Sequence, residues 1–465
     1  MNGASRNLPQ RIHLVGIGGI GLSAIARVLA EWGHEVSGSD LRPSPLLEEL
    51  RREGITVYVG HAAEHVQGAQ WVVVSSAVPE HNPEVQAALR AGIPVFKREH
   101  LLGAMMDGRC GLAVAGTHGK TTTTAMIAVI LERLRREPTF IVGGIIAELG
   151  TNARAGRGPH FVIEADEYDR TFYGLRPQAA VVTNIEMDHP DCYRDLADLR
   201  AAFGTFLSGV APEGAIVACA DSPEVQRLLA EETASRPRVL TYGRSAGADY
   251  QVADVRPNAR GGIDFTVQAQ GRIWGRFSLA LAGAHNALNA TAALLVAAWV
   301  GVPKEEAAQV LADFRGVLRR FEFKGERRGV VVVDDYAHHP TQVRATLAAA
   351  RGRYPERRIW AIFQPHTYSR TQTLLDEFAT CFAAADRVIV TDIYAARAKE
   401  VPTISAQDLV AAMQHPQVQH IGRLDDVVAH LLAQVAPGDL VLTLGAGDGY
   451  LIGERLLAGL AEQER

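Results

Sequence analysis

The sequence predicts an α/β protein built from several parallel sheets with helices packed against them. Short apolar strands recur along the chain, glycine loops or polar clusters follow many of them, and helical patterns separate them. A length of 465 residues is typical of about three domains of ordinary size. The composition, with 47% hydrophobic and 21% charged residues, is that of a globular enzyme.

The first predicted unit is a strand, a glycine loop, an amphipathic helix and a second strand, within residues 11–40. The loop has the pattern GxGxxG and contains Gly16, Gly18, Gly19 and Gly21. Glycines here permit a tight turn and the close approach of a diphosphate to a helix N-terminus. Asp40 ends the second strand, where a carboxylate can bind a ribose hydroxyl. The pattern predicts a bound nucleotide diphosphate and leaves open whether it is NAD or a nucleotide sugar.

Further strands are predicted within residues 56–60, 71–78 and 93–100. They complete a small unit of strands and helices, so we expect a Rossmann-like domain over residues 1–108.

The central part of the chain opens with a phosphate-binding loop. An apolar strand at 111–116 runs into the segment AGTHGKTTTT, and a helical pattern follows. The residues expected to surround the phosphates are Gly116, Thr117, His118, Gly119, Lys120, Thr121 and Thr122. Backbone N–H groups and Lys120, one of only five lysines in the chain, would bind phosphate oxygens, and Thr121 would bind Mg²⁺. The loop is shorter than the usual pattern, and it predicts ATP or GTP with Mg²⁺.

Polar residues also end the next two predicted strands, at 161–169 and 180–191. They are Glu164, Asp166, Glu167, Asp188 and His189. Residues just past the carboxyl ends of parallel strands form the site in open α/β sheets, and Mg²⁺ prefers oxygen ligands. We therefore expect this set to converge on the nucleotide and its metal.

Three further segments complete the central part. Asn286 and Asn289 fall in the first turn of an alanine-rich helix, a position that by itself predicts helix capping. Residues 247–281 alternate like antiparallel strands joined by glycine turns, and the apolar stretch 292–302 is typical of a buried helix.

The carboxyl-terminal third repeats one design, an apolar strand followed by a polar cluster. The repetition predicts a second parallel sheet, from about residue 316 onward. Its polar edge would contain Asp335, His338, His339, His366, Arg370, Asp392, Arg397 and Asp448. A substrate or anion site fits this edge better than a metal site on the two adjacent histidines, because suitably spaced carboxylate or thiolate partners are missing.

Composition excludes several classes of protein. The net charge of -5 predicts no nucleic-acid partner, and four dispersed cysteines indicate neither a disulfide framework nor a zinc site. The N-terminal segment lacks the pattern of a signal peptide, and the longest apolar stretch is too short to span a bilayer. We expect a cytoplasmic protein without a membrane partner, either a monomer or a homodimer.

Taken in order, the motifs resemble those of the Mur ligase family over nearly the whole chain. The segments that carry the resemblance are HLVGIGGIGLSAIARVL, AGTHGKTTTT, EADE, TNIEMDH, GAHNALNA, RRFEFKG, DDYAHHPT, FQPHTYSR and GAGD. The resemblance implies three domains: a Rossmann-like domain for a UDP-sugar at 1–108, a P-loop-type ATPase domain at 109–315 and a Rossmann-like domain for an amino acid at 316–465.

The resemblance also implies the reaction, an amide ligation driven by ATP through an acyl phosphate. The motifs are most similar to those of members that join L-alanine to UDP-N-acetylmuramate in peptidoglycan precursor synthesis. Matched by motif, the catalytic residues are Lys120, Glu164 and His189. The implied metal ligands are Thr121 for one Mg²⁺ ion and Glu164 with His189 for a second. Beyond the loop, the resemblance implies that ATP is contacted by Asn286, Arg320 and Asp335. It implies that the UDP-sugar is bound by the glycine loop, Asp40 and Ser75. The residues implied to contact the amino acid are Tyr336, His338, Arg370 and Arg397.

Three departures from the family pattern bear on this expectation. No lysine lies between Lys120 and Lys304, so the carbamylated lysine of members that add later amino acids is missing, which favours the alanine-adding type. Thr367 stands where an arginine is usual, which leaves Arg370 as the expected carboxylate anchor. Tyr168, in EADEYD, resembles members that attach a recycled murein tripeptide, which is the nearest alternative; an NAD-dependent dehydrogenase is the alternative from another class.

Overall fold

The computed structural model describes residues 8–231, 237–395 and 402–464. Three sheets follow one another along the chain, with helices packed against them, so the predicted α/β fold with three successive units is confirmed. The expected domain limits after residues 108 and 315 stay a prediction.

The first sheet has five strands, all parallel. The strands are β1 (Arg11–Val15), β2 (Glu35–Asp40), β3 (Thr56–Val59), β4 (Trp71–Val74) and β5 (Val95–Lys97). The helices are α1 (Ile20–Glu31), α2 (Pro45–Arg52), α3 (Pro83–Arg90) and α4 (Arg98–Met106), with a 3₁₀ turn at Ala63–Val66. The order is β3-β2-β1-β4-β5, so β1 is central and the glycine loop leaves its carboxyl end.

The second sheet has ten strands. They are β6 (Cys110–Ala115), β7 (Thr139–Ile146), β8 (Thr151–Arg154), β9 (His160–Glu164), β10 (Ala179–Val182), β11 (Ala215–Cys219), β12 (Arg238–Gly243), β13 (Tyr250–Pro257), β14 (Ile263–Ala269) and β15 (Arg272–Leu279). The helices are α5 (Lys120–Arg133), α6 (Leu196–Ser208), α7 (Pro223–Glu231), α8 (Ala284–Trp299) and α9 (Lys304–Ala312), with a 3₁₀ segment at Tyr168–Gly174.

The order of this sheet is β15-β14-β13-β12-β11-β10-β6-β9-β7-β8. The predicted antiparallel segment is confirmed, since β13, β14 and β15 pair in that sense, and the predicted apolar helix is the buried second half of α8. Strand β6 lies between β9 and β10. The connections after these strands therefore lie on opposite sides of the phosphate loop, and a crevice forms at the carboxyl end of β6.

The third sheet has six strands, β16 (Glu322–Arg327), β17 (Val330–Asp335), β18 (Arg358–Phe363), β19 (Arg387–Val390), β20 (Val418–His420) and β21 (Asp439–Leu444). The helices are α10 (Pro340–Arg353), α11 (Tyr368–Thr373), α12 (Leu375–Thr380), α13 (Ala406–Ala412), α14 (Leu424–Gln434) and α15 (Tyr450–Glu462). The order is β16-β17-β21-β18-β19-β20. The five strands other than β16 are parallel, as predicted. The exception is β16, an antiparallel edge strand in which no residue is buried, an arrangement common at the edge of an otherwise parallel sheet.

Among the described residues, no helix is both long enough and apolar enough to cross a bilayer.

Candidate active site

The phosphate loop occupies the turn between β6 and α5. Gly116 has φ 133° and Gly119 has φ 82°, conformations that L side chains rarely adopt. Space excludes a larger residue as well, because a Cβ at Gly116 would collide with Thr183 Oγ1 and one at Gly119 would lie 2.6 Å from Asn289 Oδ1. Both glycines are therefore required by the backbone and by close packing, and α5 begins at Lys120, directly after the loop.

Two residues after β10 hold the loop in place. Asn184 accepts from Thr117 N through its backbone oxygen (3.0 Å) and from His118 N through Oδ1 (2.9 Å), while its Nδ2 donates to His118 O (3.1 Å). Thr183 Oγ1 donates to the same oxygen at 2.5 Å. These hydrogen bonds order the loop. Sequence reasoning missed both residues because it selected only acids and a histidine after this strand, although the position just past β10 was a signal for them.

Lys120 folds back over the loop. Its Nζ donates to Glu167 Oε1 at 2.8 Å, to Thr117 O at 3.3 Å and to Gly116 O. Burial disfavours the charged form, but Glu167 and Glu164 outweigh it and raise the pKa of Lys120. The lysine is therefore a protonated cation at the position where the loop would receive phosphates.

Thr121 and Glu164 meet at the start of α5. Thr121 Oγ1 donates to Glu164 Oε1 at 2.9 Å, and Glu164 Oε2 accepts from Gly143 N at 2.6 Å. Burial raises the pKa of Glu164, against the lowering effect of Lys120. A hydroxyl and a carboxylate oxygen this close, with an unfavourably buried negative charge, fit one Mg²⁺ ion that would lower the pKa again.

His189 lies near the carboxylate that pairs with Lys120. Its Nε2 is 3.7 Å from Glu167 Oε1 and 3.8 Å from Asp188 Oδ2, and its Nδ1 is buried without a hydrogen-bond partner in the part of the chain that the structure describes. Burial lowers the pKa of His189, but Asp188 and Glu167 raise it further, so the net shift is upward. The residue has φ 55°, a strained conformation outside glycine, which is typical of functional sites.

Arg370 lies at the contact between the third unit and the second. The side chain is buried, and its Nε donates to Asp188 Oδ1 at 2.8 Å, which joins the third unit to the second. Thr367, the residue that replaces the usual arginine, is the N-cap of α11, and its side chain accepts from Arg370 N at 3.4 Å. Arg370 therefore carries an interdomain ion pair, and its contact to an amino-acid carboxylate stays a prediction.

A cavity lies between the phosphate loop and the third unit. Its lining includes His118, Gly119, Thr122, Asn286, Asn289, Arg320 and Asp335. Neither asparagine caps α8, because Gly283 is the N-cap and no side chain bonds there; instead Asn286 Nδ2 donates to Ala282 O at 2.7 Å. The capping expected from position alone is wrong, since both asparagines are buried and Asn289 packs on the loop.

Asp335 is fixed at the end of β17. Its oxygens accept from Phe321 N and Ala337 N, both at 2.7 Å. Burial raises the pKa of Asp335 to about 6, although Arg320 lowers it. Arg320 also donates to Thr121 Oγ1 at 3.4 Å, so the cavity and the Thr121–Glu164 pair are contiguous.

The N-terminus of α10 closes on the phosphate loop. Gln342 Nε2 donates to His118 Nδ1 at 2.9 Å, and Thr341 Oγ1 donates to Glu186 Oε2 at 2.6 Å. One cluster of side chains could hold a metal ion. Among the described residues, it is the one group of three His, Cys, Asp or Glu side chains whose potential ligand atoms lie within 4.8 Å of one another, and it consists of His118, Glu186 and His339. His339 is neutral, because burial lowers its pKa to about 4, and it accepts from Thr341 N and donates to Met187 O. With both ring nitrogens in use, the metal site on adjacent histidines remains the weaker interpretation.

The predicted polar edge of the third sheet is divided. Tyr336, His338 and His366 lie together, with ring centroids 5.3 Å apart for the first pair and 5.8 Å for the second. Asp392 and Asp448 line a separate cavity, where Asp392 accepts from His420 at 2.8 Å and Asp448 from Gln364 at 2.7 Å. Arg397, the remaining member of the predicted set, lies outside the described residues.

In the first unit the glycine loop is held by the strand ends beside it. Asp40 Oδ2 accepts from Gly18 N at 2.9 Å, and Ser75 packs against Gly16, which has φ 85°. Asp40 therefore fastens the loop, and its contact to a ribose stays a prediction.

A second cavity connects this loop with the phosphate loop. It is lined by residues of all three units, among them Gly21, Arg98, Thr121, Glu164 and Tyr336. A substrate that spans it would place one end at the first glycine loop and the other beside the Thr121–Glu164 pair.

Comparison with known proteins gives the same three units. The model of the Mur ligase family catalytic domain matches residues 11–109, that of the Mur ligase middle domain 114–297 and that of the Mur ligase glutamate ligase domain 319–447. Proteins named UDP-N-acetylmuramate–L-alanine ligase are similar over their whole length. The protein from Solibacter usitatus is 47% identical, and the match covers 97% of this chain and 96% of that protein. The protein from Rubrobacter xylanophilus is 46% identical, and the match covers 97% of this chain and all of that protein (100%).

Two solved structures are also similar. The UDP-N-acetylmuramate-alanine ligase of Thermotoga maritima has a TM-score of 0.81 at 29% identity and covers 97% of this chain and 99% of its own. A murein peptide ligase from Psychrobacter arcticus has a TM-score of 0.73 at 27% identity with the same coverage. With three family models matched in order and relatives this similar over the full length, the chain belongs to the Mur ligase family.

Proposed function

We propose that this chain joins L-alanine to UDP-N-acetylmuramate in an ATP-dependent, ADP-forming reaction of peptidoglycan precursor synthesis. The observation that carries the proposal is the cavity that runs from the Gly21 loop to Thr121 and Glu164. A nucleotide diphosphate sugar bound at the first loop would reach the phosphate loop with its far end, which a dehydrogenase would not need. The relatives with full-length similarity are named for this substrate pair.

The reaction requires an activated carboxylate, because a free carboxylate has no leaving group that an amine can displace. The muramoyl carboxylate attacks the γ-phosphorus of ATP, and ADP leaves as the acyl phosphate forms. The amine of L-alanine then adds to the acyl carbon, and the tetrahedral intermediate expels phosphate and yields the amide. Lys120, protonated beside the loop, stabilises the negative charge on the transferred phosphoryl group.

Magnesium fits the Thr121–Glu164 pair on the donor chemistry described above. When bound, such an ion would supply positive charge to the phosphate oxygens. His189, whose Nδ1 is buried and unpartnered among the described residues, is the proposed ligand of a second ion. Gly116 to Thr122 would hold the ATP phosphates, while Asn286, Arg320 and Asp335 would contact the rest of the nucleotide in the first cavity.

The third unit would bind the amino acid. Tyr336, His338 and Arg370 border the same end of the site, with Arg397 proposed from the family motif alone. We propose the domain limits 1–108, 109–315 and 316–465 for the UDP-sugar, ATP and amino-acid domains, and a cytoplasmic protein that acts as a monomer or homodimer.

Phosphate release tests the proposal directly. Purified protein is incubated with ATP, Mg²⁺, UDP-N-acetylmuramate and each amino acid in turn, and we expect release with L-alanine. No release with alanine, serine or glycine refutes the proposal. Release only with L-Ala-D-Glu-diaminopimelate would identify the tripeptide-adding type instead, and tight binding of NAD in a fluorescence titration would favour a dehydrogenase.

A further inference from the structure

Arg98 connects the first unit to the second close to the reaction centre. It is the first residue of α4, and its Nη2 donates to Asp166 Oδ2 and to Thr171 Oγ1, both at 2.9 Å. About a fifth of the side chain, 21%, is exposed, and the exposed part faces the second cavity. Asp166 follows Glu164 by two residues, and Arg98, Asp166 and Glu164 all line the second cavity.

The opposite side of the guanidinium lies against the glycine loop. A Cβ built on Gly21 would be 2.5 Å from Arg98 Nη1, so this glycine leaves the space that the arginine fills. Gly21 belongs to the first turn of α1, where unpaired backbone N–H groups attract phosphate. Nη2 thus holds the second unit while Nη1 is presented at the diphosphate loop.

This geometry distinguishes the two phosphates of a UDP-sugar. The uridine end must lie away from the phosphate loop, because the sugar carries the carboxylate that reacts beside Thr121 and Glu164. Arg98 lies on the Glu164 side of the glycine loop, so the phosphate next to the sugar is the one within its reach. Asp166 and Thr171 use both hydrogens of Nη2, so the N–H groups of Nη1 remain to donate charge-assisted hydrogen bonds to a phosphate at the glycine loop.

We propose that Arg98 binds the sugar-side phosphate of the UDP-sugar and, through Asp166 and Thr171, fixes the distance between the two nucleotide-binding loops. The inference rests on the proposed function, since it assumes a nucleotide diphosphate sugar in the first unit. Arg98 is a binding and positioning residue here, and it does not take part in the chemical steps.

The test compares UDP with UMP, which lacks the second phosphate, by isothermal titration of the full chain. A charge-assisted contact to that phosphate predicts that Arg98→Met reduces the preference for UDP over UMP by about tenfold or more. Arg98→Lys should retain part of the preference. A merely structural role would weaken both ligands equally and leave the ratio unchanged.

Lys97→Met is the matched control. It removes the neighbouring positive charge and another ion pair between the first two units, Lys97 Nζ to Asp169 at 3.4 Å, on an exposed side chain. We expect it to keep the wild-type ratio. If Lys97→Met lowers the ratio as much as Arg98→Met does, general charge explains the effect and the proposal is overturned.

Arg98→Gln provides a second variant should Arg98→Met fold poorly. Glutamine retains an N–H donor for Asp166 but has no charge, so the UDP preference should fall in the same direction. In steady-state assays, both variants should raise the KM for the UDP-sugar more than the KM for ATP.

A UDP to UMP ratio within about twofold of wild type in folded, active Arg98→Met refutes the role of Arg98 and leaves the proposed function intact, since a charge-assisted contact is worth more than that. Failure of the wild-type protein to bind UDP, or to release phosphate with its substrates, refutes the proposed function itself.

Discussion

Lys120 Nζ lies 2.8 Å from Oε1 of Glu167, a carboxylate that is almost completely buried. The pair occupies the site where a phosphate loop would receive its nucleotide. Arriving phosphates must therefore replace Glu167 and the loop carbonyls as partners of the lysine, and the lysine remains charged throughout.

Lys120→Ala should abolish turnover while leaving the first nucleotide site intact. Loss of a preorganised donor at a transferring phosphoryl group costs about 100-fold to 1000-fold in rate. UDP binding should change little, because the glycine loop belongs to another sheet. Phosphate release and UDP titration measure the two effects. Loss of both in a folded variant would contradict the assignment of the two nucleotides to separate units.

Glu167→Gln should make thermal stability depend more strongly on nucleotide. Removing one member of a buried ion pair typically costs about 3–5 kcal/mol, and Glu164 and Asp166 offset part of that cost for Lys120. ADP would supply the missing negative charge, so the rise in Tm on adding saturating ADP should exceed that of wild type. Calorimetry with and without ADP measures this, and an equal rise in both proteins would show that Lys120 does not exchange Glu167 for phosphate.

Glu164→Gln should raise the Mg²⁺ concentration needed for half-maximal turnover by about tenfold or more, because a charged oxygen ligand is lost. The control is Glu132→Gln, the same substitution at a residue that pairs with Arg154 near the end of α5. Titrating MgCl₂ in the phosphate-release assay gives both values. A similar midpoint in the two variants would remove Glu164 from the metal site.

Asp335 should make nucleoside binding dependent on pH. Burial raises its pKa from 3.8 to about 6, so the folded protein loses the carboxylate as pH falls through that value. Adenosine is the suitable ligand because it has no phosphate that titrates in this range. Its affinity should fall by up to about tenfold per pH unit below the pKa if only the carboxylate binds.

In Asp335→Asn, adenosine should bind more weakly at neutral pH and show little change between pH 5 and 7. A wild-type affinity that stays constant over the same range would contradict a contact between Asp335 and the nucleoside.

Glu84 should stabilise the first unit at neutral pH and lose this effect in acid. The fully buried carboxylate accepts from Ser39 and His65 at 2.5 and 2.6 Å and lies 3.3 Å from His61 and 3.6 Å from His13. Burial opposes ionisation, but His13, Ser39 and His65 lower the pKa of Glu84 from 4.5 to about 2. A depressed carboxyl pKa contributes stability above the unfolded value, and the contribution is lost as pH falls from 4.5 toward 2.

Glu84→Gln should therefore lose about 3 kcal/mol at neutral pH, with a smaller difference near pH 3. Amide exchange in β1 and β2, followed by mass spectrometry at both pH values, reports on this unit alone. Glu80→Gln, at an exposed residue of the same unit, is the control. Equal exchange in Glu84→Gln and Glu80→Gln at neutral pH would contradict the prediction.

Local features of the site followed from residue order. The loop between β6 and α5 was predictable because only glycine readily adopts the backbone of Gly116 and Gly119, and because an apolar strand and a helical pattern flank it. The same reasoning located the end of β9 at Glu164, whereas β10 ends at Val182 and His189 lies in the segment that follows it. It failed for Asn286 and Asn289, where position in a helix suggested caps and burial against the loop decided otherwise.

The sequence by itself determined the α/β class, the two nucleotide loops and their order, since glycine conformation and the periodicity of apolar residues are local properties. Tertiary structure alone decided which charges meet. Arg98 reaches Asp166 across 68 positions of sequence, and Arg370 reaches Asp188 across 182. Such pairs depend on how separate sheets pack together, and a strand or helix pattern contains no information about which side chain of another unit will lie opposite.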